Sequence, residues 1–252
     1  MTLEEKSYIF GLLGTDGSLY LTTQNRGKIT LEVNIKDKDI CEKLFHIIPN
    51  SSLSERTRDT NFKDGYQSVI FSNHQLSFRQ ELIDFGFPIE DKTNNISIPN
   101  QEYSERDFWR GVIDGDGSLG FINDGSPFLS LVTKSENLKI EYCKMLLEKF
   151  GIEKNINRNK RDNVYNITIK NEDAINVIHY LYDDSVLFLD RKYQKALETY
   201  QWVRTVPKAP SRKKWTSTQD EYILTHTIEE SMNYLNRTKQ SIRTRLYRLN
   251  TK

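Results

Sequence analysis

Two aspartates, Asp16 and Asp116, each close the same kind of run: YIFGLLGTDGSL at 8–19 and FWRGVIDGDGSL at 108–119. Gly11 and Thr15 are four residues apart, as are Gly111 and Gly115, so on a helix each pair shares a face that carries almost no side chain. Two such faces can approach backbone to backbone, closer than the usual ~8–10 Å between helix axes. That packing would set Asp16 beside Asp116 at two helix C-termini. Carboxylates placed there repel each other and the helix dipoles unless a divalent cation lies between them. Hard oxygen ligands in an open geometry suit Mg²⁺, with Mn²⁺ as a substitute.

Competing patterns fit less well. GDGSLG at 115–120 has the spacing of a dinucleotide loop, but that loop follows a strand and opens a helix, whereas here the helical run comes first. A calcium loop starting at Asp114 fails because its twelfth position is Gly125, where a bidentate Glu is required. His46, His74, His179 and His226 are scattered without metal-ligand spacing. Cys41 and Cys143 lie in amphipathic runs and read as buried thiols of a reducing compartment.

The elements that must position the aspartates repeat. Asp16 and Asp116 are offset by 100 residues, and NIKDKDI (34–40) matches VTKSENL (132–138) at an offset of 98. In the first half, periodicity predicts a helix over 4–13, strands over 18–24 and 28–36, and a helix over 38–48. A hairpin over 53–72 turning at Lys63-Asp64-Gly65 follows, then a helix over 74–85. The second half predicts a motif helix ending near Asp114, strands over 118–123 and 127–134, and a helix over 136–150. A hairpin over 153–170 turning near 161–163 comes next, with helices over 172–182 and 188–202. The fold class expected is α+β: two pseudo-symmetric αββαββα halves, 1–88 and 104–202, joined by a linker over 89–103.

Residues 203–214, VRTVPKAPSRKK, hold two prolines, five cations and no acid, the composition of a stiff exposed linker. Beyond it, 215–252 reads as a small all-α module with a core of Trp215, Ile223, Leu224, Met232, Leu235, Ile242, Leu246 and Leu249. Thr238 is its expected N-cap before the last helix, whose opposite face shows Gln240, Arg243, Thr244, Tyr247 and Arg248. The formal net charge of +1 is an average of unlike parts. Residues 201–252 carry 11 bases and 4 acids, leaving 25 bases against 31 acids in the rest. A basic appendage on a mildly acidic body keeps nucleic acid open as a partner. No signal peptide and no apolar run of membrane-spanning length appears, so the chain reads as intracellular and soluble.

FGLLGTDG and RGVIDGDG resemble the paired signature of LAGLIDADG homing endonucleases in their single-chain form, over about residues 4–200, with 107–121 the most specific stretch. The resemblance implies motif helices at the interface of the halves and two antiparallel sheets forming a saddle over DNA. It implies a metal-dependent, site-specific double-strand endonuclease in which Asp16 and Asp116 bind metal and the carbonyls of Thr15 and Gly115 add ligands. Gly14, where the second copy has Asp114, reads as a packing difference. Lys36 and Lys134, at equivalent strand-to-helix junctions, would polarise water or hold phosphate, or else lie solvated. DNA contacts are expected from Tyr20, Thr22, Gln24, Arg26 and Lys28 in the first half, and from Gly120, Ile122 and Ser130 in the second. Arg56, Arg58, Arg158, Lys160 and Arg161 on the hairpins would add phosphate contacts. So would Arg212, Lys213 and Lys214 in the linker, and Lys239 with the exposed residues of the last helix. The tail is similar to Myb/SANT-like helix-turn-helix modules. The expected partner is double-stranded DNA with a long, pseudo-asymmetric site, bound by a monomer with no obligate protein partner and no membrane. Two alternatives share the scaffold: a non-cleaving DNA-binding transcription regulator and a group I intron splicing maturase.

Overall fold

A computed structural model describes residues 1–59, 64–204 and 215–251. The chain forms two compact units, Met1–Arg204 and Thr205–Lys252. The first half of the large unit runs α1 (Leu3–Thr15), β1 (Gly17–Leu21), β2 (Gly27–Asn34), α2 (Lys38–Ile47), β3 (Ser51–Arg58), β4 (Tyr66–Asn73) and α3 (Leu76–Asp84). Its antiparallel sheet has the order β1-β2-β4-β3. After a short helix α4 (Lys92–Asn95), the second half runs α5 (Glu105–Asp116), β5 (Gly117–Phe121), β6 (Pro127–Thr133), α6 (Glu136–Phe150), β7 (Tyr165–Lys170), α7 (Asn171–Tyr182) and α8 (Asp190–Tyr200), the same order with one strand fewer and one helix more. The mixed architecture of two related halves agrees with the expected fold class.

Three details differ from the predicted pattern. The second sheet has three strands, β5-β6-β7, among the described residues, because 153–160 runs beside β7 without forming a ladder. Asn155, Asn157 and Asn159 give that stretch little strand propensity, and Lys154 ties it down by a side-chain bond to the Thr168 carbonyl at 2.8 Å. β1 stops at Leu21, since Gln24 and Asn25 adopt left-handed backbone in a tight turn closed by the Thr22 N–H to Arg26 carbonyl bond at 2.8 Å. The buried Arg79 holds this turn, donating to the Gly27 and Asn25 carbonyls at 2.8 and 2.5 Å. Finally, β2 ends at Asn34, whose side chain caps a 3₁₀ turn over Ile35–Asp37. Lys63 of the predicted β3–β4 turn lies outside the described residues.

α1 and α5 form the centre. Capping starts α1: Thr2 accepts from the Glu5 N–H while Glu5 reaches back to the Thr2 N–H. A Cβ on Gly11 would lie 2.3 Å from the Phe108 carbonyl oxygen, and one on Gly111 would lie 2.1 Å from that of Tyr8. Backbones in such contact leave no room for any side chain but hydrogen. Around the crossing, Tyr8, Ile9, Phe10, Leu12 and Leu13 of α1 join Phe108, Trp109, Val112 and Ile113 of α5 in one continuous core that reaches both sheets. Neither half closes its core alone, because each buries its motif helix against the other.

In the small unit, α9 (Ser217–Thr225), α10 (Ile228–Leu235) and α11 (Lys239–Asn250) are capped by Thr216, Thr227 and Thr238. Ile223 and Ile242 are fully buried, with Met232, Leu235, Leu246 and Leu249 partly so. Leu224, expected in the core, is 53% exposed. Neighbours on a helix point about 100° apart, and the buried stripe of a nine-residue helix has room only for Ile223. Trp215 packs under two guanidinium groups, Arg237 at 4.1 Å and Arg245 at 5.8 Å from its ring centre. Among the described residues, no helix is long and apolar enough to cross a membrane.

Candidate metal centre and nucleic-acid interface

The glycine contact decides where the aspartates go. With α1 and α5 crossing at Gly11 and Gly111, both helices end together: a Cβ on Gly115 would overlap the Thr15 hydroxyl and lie 3.6 Å from Cγ of Asp16. Asp16 caps α1, its N–H donating to the Leu12 and Leu13 carbonyls, and Asp116 is the last residue of α5. Asp16 and Asp116 are both exposed as residues, yet the protein packed around each carboxyl group still strips part of its water. That partial burial raises the pKa of each carboxyl. Asp116 is pushed up to about 6, by burial first and by the charge of Asp16 second. Nearby lysines oppose the rise at both carboxyls.

Those lysines are not the predicted ones. Lys92, on α4, donates to the Thr15 carbonyl and lies 3.4 Å from that of Leu13. Lys192, on α8, donates to the carbonyls of Ile113, Asp114 and Gly117 at 2.6–2.7 Å and of Gly115 at 3.2 Å. Each ammonium closes one motif helix where carbonyls lack intrahelical donors and the dipole is negative. Burial lowers the pKa of both lysines, while the aspartates pull it back up. Lys36 lies exposed in the 3₁₀ turn after β2, and Lys134 lies exposed after β6. Lys92 and Lys192 act on both aspartates instead, with Asp37 acting on Asp16 and Asp16 on Asp116. Sequence reasoning missed Lys92 and Lys192, although their separation of one hundred residues repeats that of the aspartates.

Asp114 explains the departure at Gly14. Its buried carboxylate accepts from the Tyr8 hydroxyl at 2.7 Å, the Tyr182 hydroxyl at 2.6 Å and the Leu189 N–H at 2.8 Å. It thereby links both motif helices to the start of α8, the helix carrying Lys192. At Gly14 the corresponding space is filled by Ile96, whose Cδ1 would lie 2.6 Å from a Cβ there.

The donor set suits one class of ion. Two hard carboxylates, each with a raised pKa and set at helix C-termini, fit a divalent cation such as Mg²⁺. The Thr15 and Gly115 carbonyls each already accept from a lysine, so only their second lone pairs remain. Among the described residues no three His, Cys, Asp or Glu side chains gather as a metal cluster.

The strands after each aspartate present an open face. In the first sheet Tyr20 stands opposite Lys28, Ser18 opposite Thr30, Arg56 opposite Ser68 and Arg58 opposite Tyr66. Tyr20, Lys28, Arg56 and Arg58 are exposed; Thr22, Gln24 and Arg26 are exposed in the β1–β2 turn. In the second sheet Ser130 is nearly buried and shares 2.9 Å bonds with Asn166 and Thr168. Gly120 is buried beside it, while Ile122 belongs to the following turn. Arg158 donates to the Lys134 carbonyl at 3.1 Å and stacks over Tyr165, Arg161 pairs with Asp162, and Lys160 is exposed. In the small unit, Lys239, Gln240, Arg243, Thr244, Tyr247 and Arg248 are all on α11 and all exposed. A concavity of about 480 Å³ on that helix is walled by Trp215, Arg237, Thr244, Arg245 and Arg248. Arg212, Lys213 and Lys214 lie outside the described residues.

Two family models match this chain: a LAGLIDADG-like domain over residues 104–199 and a WhiA LAGLIDADG-like domain over residues 5–70. Among solved structures, the chain is similar to the homing endonuclease I-WcaI bound to its DNA recognition sequence. Identity is 18% and the TM-score 0.56, over 77% of this chain and 86% of that one. It is also similar to the LAGLIDADG meganuclease I-AabMI bound to uncleaved DNA, with 10% identity and a TM-score of 0.50, over 77% and 88% of the two chains. Among curated proteins no sequence relative matches. A glycine-faced helix pair joining two related halves, with LAGLIDADG-like domains matched in each, shows that this chain has the LAGLIDADG fold.

Proposed function

We propose that this chain is a metal-dependent, site-specific endonuclease that binds double-stranded DNA across its two sheets and cuts both strands. The observation that carries the reading is the convergence of Asp16 and Asp116 at two helix ends, beside Lys92 and Lys192. Asp16 and Asp116 would hold the ion, Mg²⁺ or Mn²⁺, with the free lone pairs of the Thr15 and Gly115 carbonyls as further donors. When bound, such an ion activates water and neutralises charge on the leaving oxygen of a phosphodiester. Lys92 and Lys192 hold the helix ends in place and offset the negative potential that would otherwise repel the DNA backbone. The exposed Tyr20, Lys28, Arg56 and Arg58 lie on the face that would meet the duplex. Both DNA-bound neighbours support that assignment. Because both halves are in one chain, a monomer completes the site and can read an asymmetric sequence. The tail would add a helix-turn-helix reader that places α11 in a major groove.

The deciding experiment is a cleavage screen on a randomised duplex library, with Mg²⁺ and with chelator. Metal-dependent double-strand breaks at a defined sequence are expected, and Asp16→Asn or Asp116→Asn should abolish them while preserving binding. Cleavage that survives the double substitution would overturn the assignment.

A second reading has a specific observation behind it. The WhiA LAGLIDADG-like model matches 5–70, which covers the first motif helix and most of the first sheet. A non-cleaving DNA-binding regulator would bind a defined sequence in the same screen and leave it intact.

A further inference from the structure

We propose that Glu32 and Arg58 together read one G·C base pair in the half-site facing the first sheet, an inference that rests on the DNA-binding reading above. Strand register places Tyr20, Lys28, Thr30, Glu32, Arg56 and Arg58 on the open face of that sheet. Hydroxyls and cations dominate this face, and Glu32 is its single acid among the described residues. A carboxylate on a surface that meets phosphates works against them, whereas in a major groove it can accept from the amino group of cytosine.

Glu32 is built to stay there. Ser68, fully buried on β4, donates to its Oε1 at 2.7 Å, and Arg58, reaching across from β3, lies 3.3 Å from the same oxygen. Among the described residues Oε2 takes no bond. Arg58 is steadied from its own side by Tyr66, whose ring centre is 5.8 Å from the guanidinium carbon. Both side chains stay partly open to solvent, Arg58 at 42% and Glu32 at 31%. The result is a carboxylate oxygen beside a forked donor. In the major groove a G·C pair presents the cytosine amino group beside the guanine O6 and N7 acceptors. The Glu–Arg pair is the mirror of that pattern. An A·T pair sets its acceptors, adenine N7 and thymine O4, on either side of the adenine amino group, so the Arg fork finds no adjacent pair of acceptors.

The requirement is one-sided. Gly17 pairs with Leu31 as Gly117 pairs with Leu131, so Val132 occupies the place of Glu32 in the second sheet. Its neighbours there are the uncharged Ser130, Thr168 and Asn166.

The test is selection of bound duplexes from a randomised library by the full chain in chelator, so that binding is read without cleavage. One position of one half-site should demand G·C. Glu32→Gln should relax that position by about tenfold or more relative to all others, and Arg58→Gln should relax the same position. Both substitutions are on an open face, and thermal unfolding checks that the variants fold. A merely structural ion pair would weaken every duplex alike and leave the selected sequence unchanged, which would overturn the proposal while leaving DNA binding intact. A wild-type chain that selects no sequence at all would overturn the DNA-binding reading, and this inference with it.

Discussion

Lys92 and Lys192 are one hundred residues apart, as Asp16 and Asp116 are, and each closes the end of a different motif helix. The two corners are not equivalent. Lys192 serves four carbonyls from an eleven-residue helix that Asp114 anchors through the Leu189 N–H. Lys92 serves two from a helix of four residues.

Lys192→Met should therefore destabilise the protein by about 2–4 kcal/mol, because it strands several buried carbonyls. Lys92→Met should cost about half as much. Chemical denaturation of the two variants checks the order, and equal effects would contradict it.

Gly11→Ala and Gly111→Ala should each destabilise by about 3 kcal/mol or prevent folding, since the added methyl meets a backbone oxygen that cannot move aside. Equilibrium unfolding provides the measurement. A change below about 1 kcal/mol would mean that the helices separate more easily than their close approach implies.

Tyr8 and Asp114 join the two halves by a buried bond of 2.7 Å. Tyr8→Phe should cost about 1–2 kcal/mol and Asp114→Asn more. A double-mutant cycle should return a coupling of about 1 kcal/mol or greater. Simple additivity would show that the bond contributes little beyond packing.

Asp116 gives a pH dependence with a definite sign. Its folded pKa of about 6 lies above the ordinary value of 3.8, so the native state binds the proton more tightly. In the metal-free protein, stability should fall as pH rises from about 4 to 6 and stay reduced above that window. Asp116→Asn should remove this fall, raising stability at neutral pH by about 1 kcal/mol once solvent screening is allowed for. Metal binding should weaken as pH falls below about 6, because protons compete for the same oxygen. Thermal melts across pH, with and without Mg²⁺, measure both effects.

Truncation after Arg204 should lower DNA affinity and flatten its salt dependence. Every phosphate that the shortened chain no longer neutralises takes roughly 0.9 off the slope of log affinity against log salt. Binding isotherms between low and moderate salt test this; an unchanged slope would remove the tail from the DNA interface.

Much of this architecture is written in local pattern. The motif helices and the strands after them follow from periodicity, and Thr238 is recognisable as an N-cap because capping depends on neighbours within one turn. The Asn-rich stretch over 153–160 looks like half a hairpin, since a turn and an adjacent strand suggest one. Whether it joins a ladder depends on backbone partners that no local pattern names. Leu224 is misplaced by pattern for a similar reason: in a helix of nine residues one apolar side chain must point outward, and the packing of the module chooses which.

The repeated glycine spacing already permits two helices in close contact with two aspartates at their ends, because only hydrogen fits between backbones that near. The lysines that complete the centre cannot be read this way. Lys92 falls in what composition presents as a linker, and Lys192 is one of several basic residues on a charged helix. Their role exists only where a distant helix ends within reach of an ammonium. Carbonyls left without donors at that end fix the choice, and chain folding, acting across 79 residues in each case, brings the donor to them.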